Sequence, residues 1–198
     1  MIPEEHWHHL AALEPEAVCR RSGARYDPTR GCYTLPLLDR QVQVDPGARS
    51  VGWLGEGQQV EREASRDVAL LVVVYLIGAR EMPPSGEWVT SESLPAGAFF
   101  FRGLHAISTE GVAARFGHDM DGFLRAGERL GGGPVEAGDA CVQVQVLPRI
   151  ATRLLLWLGD DEFSAQVTML FDSRVHEHIP LDVLGIAARH TTRALVLA

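Results

Sequence analysis

Residues 138–172 constrain the fold more strongly than any other part of the chain. Between residues 140 and 147, valine and alanine alternate with cysteine and glutamine, which is the pattern of a strand with one buried face. Pro148 interrupts this run. Two further apolar runs, at 152–158 and 164–171, are separated by a short acidic turn. The stretch therefore predicts a three-stranded antiparallel meander with short loops.

Helical patterns elsewhere in the chain predict an α+β fold, in which helices cover the apolar side of the meander. The strongest pattern, at residues 65–80, is apolar on every side and is rich in β-branched residues, which weaken a helix. However, Ser65 is a good N-cap and Asp67 suits the first turn, so we expect a central buried helix. The helices predicted to pack on the meander cover residues 65–80, 109–117, 119–130 and 180–195.

The N-terminal third predicts smaller elements. Residues 3–21 favour one or two short helices, with Pro15 at the start of the second. Short apolar or alternating pieces at 32–38, 41–44 and 50–54 are separated by turn residues. They predict a small sheet of two or three strands.

Size and charge narrow the class of protein. A chain of 198 residues without an internal repeat or a low-complexity linker is expected to form a single domain over residues 1–198. The net charge of −8 argues against a nucleic-acid partner, because such binding needs clustered cations. The longest apolar run, 68–77, is shorter than the roughly 20 residues of a membrane span.

The cysteines and the N-terminus favour a cytoplasmic protein. Cys19, Cys32 and Cys141 are too widely spaced to suggest a disulfide framework or a Cys-x-x-Cys metal knuckle. Reduced, buried thiols are the expectation. The first nine residues lack the basic start and the apolar core of a signal peptide.

Several short motifs between about residues 70 and 185 occur in an order that resembles a known protein family. They are Gly86-Glu87-Trp88, Phe99-Phe100-Phe101-Arg102-Gly103-Leu104-His105, Phe116-Gly117, Leu130-Gly131-Gly132, Gly138-Asp139, Leu147-Pro148-Arg149, Leu156-Trp157-Leu158-Gly159-Asp160-Asp161-Glu162-Phe163 and Leu170-Phe171-Asp172. The family is an uncharacterised one of bacterial and archaeal proteins, common in anaerobes, of which some members carry an extra iron–sulfur segment. The resemblance implies no activity, and this chain has no four-cysteine motif for a cluster.

Aromatic and basic residues suggest a pocket for a small organic ligand, because aromatic walls with a few polar groups are typical of such sites. A planar cofactor such as a tetrapyrrole, with His105 as its axial ligand, is one candidate. The alternative is that the aromatics fill the core and that His105 bonds to a backbone carbonyl. The candidate ligand-binding residues are Trp88, Phe99, Phe101, Arg102, His105, Arg149 and Trp157.

The acidic turn of the meander suggests a second kind of site. Asp160, Asp161 and Glu162 place three carboxylates close together, and His176 is a further candidate ligand. Crowded carboxylates can bind a hard cation or raise one another's pKa for acid–base work. The alternative is a solvated hairpin tip, since aspartate suits turns.

No sequence motif identifies a reaction that this protein would catalyse. Gly131-Gly132-Gly133-Pro134 follows a helix and lacks the lysine of a phosphate loop, so it is interpreted as a helix stop. Three hypotheses stay open: a binding module for a small ligand, a metal-assisted enzyme, and a protein-interaction scaffold. The sequence leaves the cofactor, the reaction and the oligomeric state unassigned.

Overall fold

Two five-stranded antiparallel sheets and seven α-helices make up the computed structural model, which describes residues 2–198. The α+β class predicted from the sequence is therefore confirmed. The helices are α1 (Glu4–Ala12), α2 (Pro15–Ser22), α3 (Arg66–Gly78), α4 (Gly97–Phe100), α5 (Glu110–Phe116), α6 (Met120–Arg129) and α7 (Leu181–Leu197).

The first sheet is a meander in which each strand pairs with the next one along the chain. The prediction of two or three strands was wrong, because the two edge strands are short and carry mostly polar residues. Such strands lack the apolar alternation that marks a half-buried strand. The five strands are β1 (Arg25–Asp27), β2 (Cys32–Leu37), β3 (Arg40–Asp45), β4 (Ser50–Leu54) and β5 (Val60–Glu63).

The second sheet contains the predicted three-stranded meander and adds a short strand at each edge, in the order β6-β10-β9-β8-β7. The predicted strands at 152–158 and 164–171 begin at Ile150 and Gln166 instead. The meander itself is confirmed. The strands are β6 (Trp88–Thr90), β7 (Gly133–Pro134), β8 (Ala140–Leu147), β9 (Ile150–Trp157) and β10 (Gln166–Asp172).

The four helices predicted around the meander are confirmed within two residues at each boundary. Ser65 caps α3, since its Oγ accepts a hydrogen bond from the Val68 N–H at 3.4 Å. Helix α6 ends before the glycine run, where Gly131 has a φ of +75°. Within residues 2–198, every helix is too short or too polar to cross a lipid bilayer.

The hydrophobic core lies on one face of the second sheet. Val142, Leu154 and Phe171 are fully buried there, and α5 and α6 contact this face. A Cβ at Gly127 of α6 would lie 2.6 Å from Cγ1 of Val142, so the glycine permits the close approach of helix and strand. Helix α7 contacts α3, α5 and α6, and one continuous cluster of buried residues includes members of both sheets.

The aromatic and turn residues at 87–104 predict an irregular loop, but this stretch contains a short strand and a one-turn α-helix, besides two 3₁₀ turns. The first is β6, which pairs antiparallel with β10 at the edge of the second sheet. The second is α4, a single turn that holds two of the three consecutive phenylalanines. The prediction was wrong for these elements because each is no longer than four residues and shows no periodicity.

Thr152 provides a test of the core of the second sheet. Its side chain is fully buried, and its Oγ1 has no hydrogen-bond partner among residues 2–198. A buried hydroxyl without a partner costs roughly 1–3 kcal/mol. We therefore expect Thr152→Val to raise the free energy of unfolding by about 1 kcal/mol, measured by urea denaturation.

Thr191 is the matched control, because it is equally buried but donates a hydrogen bond to the Ala187 carbonyl at 2.9 Å. Thr191→Val should bring no gain in stability. Destabilisation by Thr152→Val would mean that its hydroxyl is satisfied, for example by an ordered water molecule.

Candidate functional site

A cavity of about 200 Å³ opens on the face of the second sheet that points away from the core. Four separate stretches of the chain meet there: the segment after α3, strand β6, the turn between β8 and β9, and the segment that follows β10. We call it the Trp88 cavity. It is lined by Met82, Pro84, Trp88, Gln143, Gln145, Pro148, Arg149, Ile150, Ala151, Asp172, Val175 and His178.

Trp88 forms the aromatic wall of the cavity. It pairs with Asp172 across the β6–β10 ladder, so the two side chains lie on the same face of the sheet. The guanidinium of Arg153 lies 4.2 Å from the centroid of the Trp88 ring. Arg153 also donates from Nε to Oε1 of Gln143 at 3.0 Å. The cation–π contact and this hydrogen bond together hold the wall in place.

Arg149 is placed by the turn between β8 and β9, which packs against the end of α2. Its Nε and Nη2 donate to the carbonyls of Arg21 and Arg20 at 3.1 and 3.2 Å. A cation suits this helix terminus, where the dipole is negative. Gly23, with a φ of +73°, is tightly packed here, because a Cβ on it would lie 2.8 Å from Pro148. A guanidinium has five N–H donors, so Arg149 keeps donors for a ligand.

Tyr75 of α3 connects this turn to the core. Its hydroxyl donates to the Ser22 carbonyl at 2.6 Å and accepts the Arg149 backbone N–H at 3.0 Å. Burial raises the pKa of the Tyr75 hydroxyl, so it remains protonated and able to donate. Arg21 in turn donates to the carbonyls of Ile77 and Ala79, both at 3.1 Å. Helices α2 and α3 and the β8–β9 turn are therefore joined through buried and partly buried polar contacts.

Asp172 contributes the carboxylate of the cavity. It accepts hydrogen bonds from the Ser85 hydroxyl at 2.9 Å and from the backbone N–H groups of Gly86 and Arg174, each at 3.0 Å. Burial alone would raise its pKa, but these hydrogen bonds outweigh it and hold the pKa of Asp172 below its ordinary value. Asp172 is therefore negatively charged at neutral pH.

His178 contributes a neutral imidazole. It is 5% exposed, and its Nδ1 accepts a hydrogen bond from the Arg80 N–H at 3.3 Å. Burial is the main cause that lowers the pKa of His178, and the nearby positive charge of Arg149 lowers this pKa further. With Nδ1 accepting, the neutral tautomer carries its proton on Nε2. The ring can therefore act as a hydrogen-bond donor in the cavity.

Burial of His178 and His190 predicts how stability depends on pH. Burial lowers the pKa of both imidazoles from the ordinary 6.5. Below pH 6.5 the unfolded chain binds protons that the folded protein does not, so the free energy of unfolding falls as the pH drops. We expect full stability above about pH 6.5 and a progressive loss toward pH 5, measured by urea denaturation across this range.

His178→Asn is the matching variant, because its side-chain oxygen can still accept the Arg80 N–H. In this variant the free energy of unfolding should fall less between about pH 6.5 and pH 5 than in the wild-type protein. The part of the fall that is due to His190 should remain. An unchanged pH dependence in this variant would contradict the role assigned to His178.

Of the seven predicted ligand-binding residues, Trp88 and Arg149 line the same cavity. The others do not line it. Phe99 is 85% exposed and Trp157 is 48% exposed, whereas Phe101 is 3% exposed and its ring faces Gly185 of α7. Phe99 and Phe101 thus lie in opposite environments, although only one residue separates them.

Arg102 and His105 are both exposed, in the segment after α4. The His105 ring lies 5.0 Å from that of Phe100. Nothing in these contacts favours a planar cofactor at His105, and a tetrapyrrole ligand remains an untested prediction.

The acidic turn lies in a separate, open groove of about 510 Å³. Asp160, Asp161 and Glu162 line it, and His118 of the segment after α5 lines it too. Asp160 accepts backbone N–H groups of Phe163 and Glu162 at 2.7 and 2.9 Å. These bonds lower the pKa of Asp160 and show that its carboxylate stabilises the turn itself.

His176 does not line this groove but lies in the 3₁₀ turn after β10, where its Nδ1 is buried without a hydrogen-bond partner among residues 2–198. Among residues 2–198, no group of three His, Cys, Asp or Glu side chains is close enough together to hold a metal ion. The geometry thus gives no support to the metal-assisted hypothesis, which stays a prediction.

Several residues of the Trp88 cavity were not predicted from the sequence. Gln143 and Gln145 were visible as the polar half of the β8 alternation, which placed them on the outer face of the sheet. Nothing local marked His178 as buried, because its burial comes from contact with the end of α3, where a Cβ at Gly78 would lie 2.9 Å from the His178 carbonyl oxygen.

The fold and this cavity define a two-sheet α+β protein with a small cavity, lined by apolar, aromatic and charged side chains, on the outer face of its second sheet. Residues 14–194 match a protein family described as Domain of unknown function (DUF3786). Because the match covers most of the chain, the protein belongs to this family. No curated protein and no solved structure matched in the same comparisons.

Proposed function

We propose that this protein binds a small organic ligand in the Trp88 cavity. The observation that carries the proposal is the convergence of Trp88, Arg149, Asp172 and His178 from three separate stretches of the chain on one cavity. Sites for small molecules combine apolar or aromatic walls with a few placed polar groups, and this cavity has both.

Three of the motifs on which the family resemblance rests contribute to this cavity. Residues 86–88 supply Trp88, residues 147–149 supply Pro148 and Arg149, and residues 170–172 supply Asp172. They are far apart in sequence and share no secondary-structure element except the second sheet. Their meeting at one cavity supports a role in ligand binding beyond the stability of the fold.

The volume limits the size of the ligand. About 200 Å³ equals roughly seven water molecules at about 30 Å³ each and is below the 300–1,000 Å³ of typical drug-sized pockets. The cavity therefore suits a compound of roughly ten non-hydrogen atoms. A whole tetrapyrrole is too large to be enclosed in it.

The polar groups indicate the chemistry of the ligand. The free N–H groups of Arg149 and the Nε2–H of His178 are donors, and Arg149 is permanently charged. Asp172 is already held by three donors. The cavity thus favours a ligand with a carboxylate or a similar acceptor for Arg149, and a flat or apolar part against Trp88 and the prolines.

A panel of small aromatic and aliphatic carboxylates, including benzoate and nicotinate, tests this proposal. Saturation-transfer NMR and thermal denaturation should detect binding of at least one member to the wild-type protein. Nicotinamide, the neutral counterpart of nicotinate, should bind more weakly because it lacks the charge that pairs with Arg149.

Ala151→Phe is the blocking variant, because Ala151 is half-buried and lines the cavity. Gln166→Phe is its control, since Gln166 is exposed on the same face of the sheet but outside the cavity. Binding should be lost in the first variant and retained in the second. Binding by no member of the panel, or binding that survives Ala151→Phe, would reject the proposal.

A further inference from the structure

A second and larger cavity, of about 790 Å³, lies where the first sheet meets the start of α3 and the ends of α6 and α7. It shares no lining residue with the Trp88 cavity. Its wall contains four of the 18 arginines of the chain, and we call it the arginine cavity. The four are Arg40, Arg62, Arg129 and Arg193.

Three of these arginines have no hydrogen-bond or ion-pair partner among residues 2–198. Among residues 2–198, the side chains of Arg40, Arg62 and Arg193 take part in none of the ion pairs or hydrogen bonds. Arg129, by contrast, donates to the Ala198 carbonyl oxygen. A guanidinium has five N–H donors that suit carboxylate and phosphate oxygens, so three of them on the wall of one cavity can bind an anion together.

The charge around the cavity differs in sign from that of the whole protein. The lining has four arginines and two acidic side chains, Asp39 and Glu63, although the chain as a whole has a net charge of −8. Like charges repel one another, and a cluster of them destabilises the folded state unless an opposite charge joins it. An anionic ligand would supply that charge.

Trp53 holds part of this wall in a defined geometry. The Arg40 guanidinium lies 4.6 Å from the centroid of the Trp53 ring, and His190 of α7 stacks on Trp53 at a centroid distance of 5.9 Å and an interplanar angle of 24°. Trp53 itself is buried. The side chain of Arg40 is therefore oriented before any ligand arrives, which reduces the entropic cost of binding.

Apolar side chains, among them Leu37, Val68 and Leu130, form much of the rest of the wall. Inorganic phosphate would leave most of this surface and volume without contacts. A ligand that fills the cavity needs a carbon skeleton in addition to its negative charges.

We propose that the arginine cavity binds an organic anion with at least two negative charges, held by Arg40, Arg62 and Arg193. Phosphate and carboxylate groups share the chemistry that these guanidiniums recognise. The proposal is independent of ligand binding in the Trp88 cavity.

Calorimetric titration of the whole chain at low salt tests the proposal, with AMP as the organic phosphate and citrate as the polycarboxylate. We expect at least one of them to bind more tightly than adenosine and than inorganic phosphate. Binding of AMP alone would identify a phosphorylated ligand, and binding of citrate alone a polycarboxylate. The proposal would be overturned if neither AMP nor citrate binds. It would also be overturned if adenosine binds as tightly as AMP, or if inorganic phosphate binds as tightly as AMP and citrate.

Two double variants with the same change in net charge distinguish binding in the arginine cavity from general electrostatic attraction to the protein. Arg62→Gln with Arg193→Gln should weaken binding by about tenfold or more. Arg25→Gln with Arg174→Gln alters two exposed arginines outside the cavity and should change affinity by no more than about twofold. Equal losses in both would mean unspecific attraction and would overturn the assignment.

A third variant fills the cavity and leaves its charges unchanged. Ala194 is half-buried and lines the cavity, so Ala194→Phe should abolish binding by steric exclusion. Circular dichroism and the unfolding midpoint establish that each variant is folded. Undiminished binding to folded Ala194→Phe would place the anion elsewhere and overturn the proposal.

Discussion

Replacing Tyr75 by phenylalanine is expected to lower the free energy of unfolding by about 2–4 kcal/mol. The ring would still fill its place in the core, but the hydroxyl would be lost. The Ser22 carbonyl would then lose its donor and the Arg149 N–H its acceptor. A fully buried polar group left without a partner costs roughly 1–3 kcal/mol; the Ser22 carbonyl is buried and the Arg149 N–H partly buried. Urea denaturation at neutral pH measures the change.

The matched control for this variant is Tyr26→Phe. Tyr26 is half-buried in β1, and its hydroxyl makes no hydrogen bond with residues 2–198. Its replacement should change stability by no more than about 0.5 kcal/mol. Equal effects of the two substitutions would show that the Tyr75 hydroxyl does not join α2, α3 and the β8–β9 turn.

Replacing Phe171 by alanine is expected to destabilise the protein by about 3–5 kcal/mol. Phe171 is fully buried on the inner face of β10, between its ladder partners Thr152 of β9 and Val89 of β6. Truncation of the ring removes its contacts and leaves a cavity that the two neighbouring strands cannot close. The free energy of unfolding from urea denaturation gives the size of the loss.

Phe99→Ala is the control for this loss, because the same side chain is 85% exposed at position 99. It should change stability by no more than about 0.5 kcal/mol. A loss of several kcal/mol at position 99 would mean that its ring is covered, for example by another copy of the chain.

Local sequence patterns were sufficient for the meander and for the main helices. Residues 140–147 alternate with period two because one face of β8 lies on the core and the other faces outward, and this pattern needs no knowledge of the rest of the chain. Helix α3 was predicted through Ser65 because capping is a contact between neighbours. The same reasoning failed for β1 and β5, because a polar edge strand can be identified only from its pairing with the neighbouring strand.

The candidate site was only partly predictable. Trp88 and Arg149 were chosen for their chemistry, and the structure brings them to one cavity. Asp172 and His178 complete that cavity because β6 pairs with β10 and because the end of α3 packs on the turn that follows β10. Both contacts join residues more than 80 positions apart, and no local pattern encodes them.

By itself, the sequence determined the three long strands of the second sheet, the main helices, and which side of the meander is apolar. These properties depend on residues two to four positions apart, whose side chains share a face of the same element. Only the tertiary structure decided that Phe101 is buried while Phe99 is exposed, and that three free arginines surround one cavity. Burial and proximity depend on which distant elements pack together, and packing is a property of the whole chain.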